Sequence, residues 1–109
     1  MKKETEIFLG HILDSIEIIE KHSKKMTKEK FSKDLKTQDA VIRRIEIIGE
    51  AARSISADFR KSHRETEWKE IAGMRDKLIH EYFGVDIDVV WKTLKKDIPK
   101  LKKQILKLL

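Results

Sequence analysis

The chain of 109 residues has no cysteine, one proline and four glycines. Without cysteine it can hold neither a disulfide framework nor a thiolate metal site, which suits a reducing compartment. With so little proline and glycine, no low-complexity tract and no repeat, no linker divides it, and a single domain over residues 1–109 is expected. No apolar run approaches the roughly 20 residues that span a bilayer. The opening "MKKETEIF" leads into an acid-containing pattern rather than a signal-like apolar stretch. The expected setting is the cytoplasm, with no membrane.

What the chain has in quantity is charge. Asp, Glu, Lys and Arg make up 40% of it, and 25 basic against 19 acidic residues leave a net +6. A basic surplus can hold a polyanion, nucleic acid being the commonest in a cytoplasm. Taken by itself, however, the surplus reads first as a well-solvated helical surface, or as thermophilic composition.

Helical periodicity covers almost every segment. Residues 5–22 place Ile12, Ile16 and Ile19 on one stripe with Phe8, Leu9 and Leu13 beside it. After the polar stretch "KHSKKMTKEK", Phe31 and Leu35 lead into a second helix. Residues 37–56 carry Val41, Ile45, Ile48, Ala52 and Ile55 on a stripe, with Thr37 or Asp39 as N-cap. Gly49 beside that stripe costs about 1 kcal/mol relative to alanine, and close approach of another backbone is the expected reason. A third helix, "ETEWKEIAGMRDKLIHEY", lines Trp68, Ile71, Met74 and Leu78 and ends at Gly84. Asp86 or Asp88 caps a fourth carrying Val90, Leu94 and Ile98. Pro99 either starts a separate last helix or kinks the fourth, with Leu101, Ile105 and Leu108 continuing the apolar face. No stretch alternates cleanly enough for a strand. The expected class is all-α, an up-and-down bundle of four or five helices.

Within the third helix, "MRDKLIHEYF" places Arg75, Asp76, His80 and Tyr82 among apolar neighbours. On a wheel at about 100° per residue, Arg75 falls inside the apolar stripe and His80 roughly 140° away. A cation in such a stripe must reach water or find a partner. Arg75 therefore snorkels or pairs with Glu46 or Glu50, and singly each of these polar residues reads more readily as ordinary surface. Together they fit a chemistry. Cleaving RNA without a metal needs a group that moves a proton near neutral pH and a fixed cation for the charge developing on phosphorus. His80 and Arg75 are such groups. Asp76, on the His80 face, can orient the imidazole and raise its pKa. The angular gap means either a distortion near Gly73 or, the favoured reading, a site completed by a second copy of the chain across a two-fold axis. Arg43, Arg44, Lys92, Lys95 and Lys96 are candidates to track an RNA backbone.

"IAGMRDKLIHEYFGVD", residues 71–86, resembles the signature of HEPN-domain proteins of the HepT type, in which Arg, four residues, His, one residue, Tyr mark the active site. "QDAVIRRIEIIGEAA" resembles the preceding helix of that family, and "VDIDVVWKTLKKDIPKLKKQI" its C-terminal part. The resemblance implies a homodimeric helical toxin of a type VII toxin–antitoxin pair, a metal-independent endoribonuclease acting on tRNA or mRNA without a cofactor. It further implies that Arg75 and His80 carry catalysis. Tyr82 is then where a minimal nucleotidyltransferase antitoxin attaches AMP and silences the toxin. Relatives often have Asn at the position of Asp76, so polarity is the shared property there. The alternative in the same family is a non-catalytic accessory or substrate-binding subunit of a nucleotidyltransferase, against which the Arg–His–Tyr set argues.

Overall fold

The computed structural model describes residues 1–80 and 84–109, with the side chain of His80 outside that description. The chain is all-α, with one minute hairpin beside the candidate site. Helix α1 runs Lys3–Ser23, α2 Lys28–Lys33, α3 Leu35–Ser54, α4 Ala57–Ser62, α5 Trp68–Ala72 and α6 Met74–Leu78. Strands β1 (Ile79–His80) and β2 (Gly84–Val85) pair antiparallel, Ile79 with Val85 and His80 with Gly84. Helix α7 (Ile87–Lys92) then continues through a π-helical turn at Thr93–Asp97 into α8 (Ile98–Leu108).

The apolar stripes meet in one core. Leu9, Ile12, Ile16 and Ile19 of α1 face Val41, Ile45, Ile48 and Ala52 of α3, and Trp68, Ile71, Met74, Leu78, Val90, Leu94, Ile98, Leu101 and Ile105 close around them. Each fully buried Leu or Ile contributes about 1.5–3 kcal/mol, so the pairing of stripes, more than helix propensity, holds the bundle. Helix α3 is the centre of this arrangement: α1, α2, α5, α6 and α7 all pack on it. Leu35 is 68% exposed; at the first position of α3 it precedes the buried stripe.

The expected caps shift by a few residues. The N-cap of α3 is Asp34, whose carboxylate accepts the Thr37 N–H at 3.0 Å and the Thr37 hydroxyl at 2.8 Å, so α3 begins before the Thr37 or Asp39 start. These bonds hold the Asp34 carboxyl below its ordinary value, the Thr37 N–H being the largest cause. Asp86 caps α7 by accepting the Val89 N–H at 3.2 Å. Pro99 neither separates nor sharply breaks the last helix. Having no N–H, and with a ring that would strike the carbonyl four residues earlier, it is accommodated by one widened turn in which the Ile98 N–H donates to the Thr93 carbonyl. Among the described residues, no helix is long and apolar enough to cross a membrane.

Candidate active site

The third helix expected from the periodicity is two short helices joined at Gly73, whose φ of −94° and ψ of 3° interrupt the helical path. Its neighbour across the bundle explains why the break seats where it does. A Cβ on Gly49 would lie 3.0 Å from the Ala72 carbonyl oxygen, so only glycine lets the end of α5 rest on α3 without a shift. That is the close approach the glycine implied. The apolar face survives the break, since Trp68, Ile71, Met74 and Leu78 are all buried.

Arg75 departs from the wheel. Its side chain is 46% exposed rather than enclosed in the apolar stripe, with Nε 3.6 Å from Glu46 Oε2 on α3 and an Nη atom 3.8 Å from Asp76 Oδ1. Of the two acidic partners anticipated, Glu46 takes the arginine, while Glu50 lies 4.0 Å from Arg43 one stripe along α3. Both Arg75 separations exceed the roughly 2.7–2.9 Å of a charge-assisted hydrogen bond. The two carboxylates thus aim the guanidinium without saturating its five donors, a state from which it can grip a phosphate.

The helix stops at Leu78. Ile79 is extended, with φ −120° and ψ 122°, and the Leu78 carbonyl accepts the Asp86 N–H at 3.0 Å instead of a helical bond. Gly84, at φ +73°, occupies the left-handed region that favours glycine, but in the returning strand of the hairpin rather than as the C-terminal cap of a helix. The helical wheel therefore does not apply to His80, and the 140° separation from Arg75 that it suggested has no structural basis. Distortion at Gly73, one of the two explanations offered for that gap, is present. The backbone of His80 pairs with Gly84 two residues beyond the end of α6; its side chain, and Tyr82 altogether, lie outside the described residues. Asp76 is placed beside Arg75.

The five cations named for RNA tracking differ in their surroundings. Arg43 faces Glu50, Arg44 is half-buried, and Lys95 Nζ sits 4.8 Å over the Trp91 ring. Lys92 and Lys96 are exposed. A different set is brought together instead: Arg53, Arg60, Lys61, Arg64 and Lys69 line one groove. These residues come from the end of α3, from α4 and the loop after it, and from α5, so no single periodicity in the sequence could have grouped them.

A family model described as Ribonuclease HepT-like matches residues 12–108. Over 108 residues the chain is 52% identical to a protein of Thermococcus cleftensis named "Probable ribonuclease HepT", covering 99% of this chain and 98% of that one. It is 47% identical over 102 residues to a "Putative RNase" of Caldanaerobacter subterraneus, covering 94% of this chain and 91% of the relative. A protein of Methanocaldococcus jannaschii named "Gamma-glutamylcyclotransferase and putative RNase" is 52% identical over 109 residues, and there the chain spans 49% of the relative's length. No solved structure matches. With a bundle of the expected class, a half-exposed arginine on α6 and a family match that runs over nearly its whole length, the chain belongs to the HepT-like ribonuclease family.

Proposed function

We propose that the protein is a metal-independent endoribonuclease that cleaves RNA by attack of a ribose 2′-hydroxyl on the adjacent phosphate. The 2′-oxygen bonds to phosphorus as the bond to the 5′-oxygen breaks, leaving a 2′,3′-cyclic phosphate and a 5′-hydroxyl. The 2′-hydroxyl gives up its proton and the departing 5′-oxygen gains one. His80 handles proton transfer, and Arg75 stabilises charge on the non-bridging oxygens. Asp76 is a positioning residue. The observation that carries the reading is Arg75 itself: a cation half in water, held loosely by Glu46 and Asp76, within the stretch matched by the ribonuclease family.

We further propose that the active form is a homodimer with a shared site, acting as the toxin of a type VII toxin–antitoxin pair. A minimal nucleotidyltransferase is the antitoxin, and AMP on the Tyr82 hydroxyl is the block. The adduct brings a negative charge and bulk to the place where the substrate phosphate must sit. Cleavage of a tRNA or total RNA pool in EDTA by the wild type, and its loss in His80→Ala, is the expected result. Equal behaviour of the two chains refutes the nuclease reading. Co-expression with a minimal nucleotidyltransferase of the proposed antitoxin type should add about 329 Da per AMP to the wild type and nothing to Tyr82→Phe; a modified Tyr82→Phe chain refutes that assignment.

A further inference from the structure

We infer that the groove between α4 and α5 is a binding track for the sugar–phosphate backbone of an RNA strand, a subsite apart from the Arg75 centre; its role as a substrate track rests on the nuclease reading above. The groove, of about 670 Å³, is lined by Arg53, Arg60, Lys61, Arg64 and Lys69 around a floor that includes Trp68, and it contains no carboxylate. The ion pairs found among the described residues all lie elsewhere, so none of these five cations is within 4.0 Å of an acidic oxygen there.

Two further features point to an anionic occupant. The Nε of Arg60 is buried and has no hydrogen-bond partner among the described residues, so the protein leaves this cation uncompensated at that atom, and an anion against the rest of the guanidinium would offset the cost. Two of the flanking acidic residues are engaged with other groups. Glu67 and Glu70 share a shallow depression with Arg60 and Arg64, but Glu67 accepts a hydrogen bond from Lys100 of α8 at 3.0 Å. Glu70 is hydrogen-bonded to Glu67, which raises its carboxyl above the ordinary value.

The chemistry of the groove favours backbone over base recognition. Trp68 is only 7% exposed and its indole N–H donates to the His63 carbonyl at 3.0 Å, so it offers no stacking face. Guanidinium and ammonium groups without an aromatic platform read phosphates and little sequence. Position gives the track its direction: the groove reaches Gly73, the turn that opens α6 two residues before Arg75. A strand lying in it would arrive at the candidate centre.

The test measures binding separately from cleavage. A labelled 2′-O-methyl oligoribonucleotide, whose blocked 2′-oxygen cannot attack, is titrated by fluorescence anisotropy across a KCl series. The proteins compared are the wild type, Lys61→Glu/Arg64→Glu/Lys69→Glu, and Lys92→Glu/Lys96→Glu. Losing three phosphate contacts on a single strand should lower the slope of log K against log [KCl] by about 2, and affinity in 0.1 M salt by about 10², while the Lys92/Lys96 double variant changes far less. The three substituted groove residues are exposed, and circular dichroism with a Gln version of the same triple keeps a folding defect apart from a binding defect. Wild-type affinity and slope in the triple variant overturn the proposal, as does a larger loss in the Lys92/Lys96 variant or failure of the wild type to bind. A wild type that binds through the groove but leaves unmodified RNA intact refutes the nuclease reading and leaves the groove in place.

Discussion

Replacing Gly49 and Gly10 separately by alanine turns the placement of the candidate site into a measurement. Both glycines sit inside long helices, so each substitution should gain the same propensity term, about 0.8–1 kcal/mol. Their surroundings differ. A Cβ on Gly10 meets nothing within 4 Å, whereas one on Gly49 meets the Ala72 carbonyl oxygen at 3.0 Å and the Ile71 carbonyl oxygen at 3.7 Å. The neighbour is backbone at the α5–α6 break and must move as a unit. Overpacking of this kind costs about 1–3 kcal/mol. Gly10→Ala should therefore stabilise by nearly 1 kcal/mol, and Gly49→Ala should be neutral to about 2 kcal/mol destabilising. The shared propensity gain cancels between them, so their difference isolates the clash. At about 4 °C per kcal/mol for a chain of this size, melting temperatures by circular dichroism should differ by about 4–12 °C. Because the displaced turn carries α6, Gly49→Ala should also reduce any RNA cleavage more than Gly10→Ala does. A Gly49→Ala protein that melts as high as Gly10→Ala refutes the claim that this glycine seats the break.

Arg75→Ala should cost less than about 1 kcal/mol of stability, the range of exposed ion pairs, while cleavage falls by about 10² or more; a large drop in melting temperature with activity retained points instead to a structural arginine. Asp34 provides a pH test. Its carboxyl is held below the ordinary value of 3.8, so the stability it contributes is present above that pH and lost as pH falls through the lowered value in the folded state. Asp34→Asn keeps an oxygen for the Thr37 N–H but does not titrate, so its melting temperature should fall less than that of the wild type on acidification below pH 3.8. Parallel acid profiles refute the assignment.

Much of the fold was legible because helical periodicity is a local property. Ile12, Ile16 and Ile19, then Val41, Ile45 and Ile48, then Leu101 and Ile105 can be placed on a buried face by counting residues, and all of them are buried. The Glu46 partner of Arg75 and the close contact at Gly49 were also open to inference, since a cation near an apolar face and a glycine inside a helix both demand a reason. The hairpin was not. Strands of two residues are too short to carry any alternation, and their existence depends on the Leu78 carbonyl meeting the Asp86 N–H.

By itself the sequence determined the helical class, the residues of the core and the motif in which Arg75, His80 and Tyr82 stand, because spacing along a chain is sufficient for each. The tertiary structure decided that α5 and α6 break at Gly73 against Gly49, that Arg75 faces water beside Glu46, and that α6 ends at Leu78. It also decided that cations at positions 53, 60, 61, 64 and 69 share one groove. Those outcomes depend on which surfaces meet once the apolar stripes of distant helices pack together.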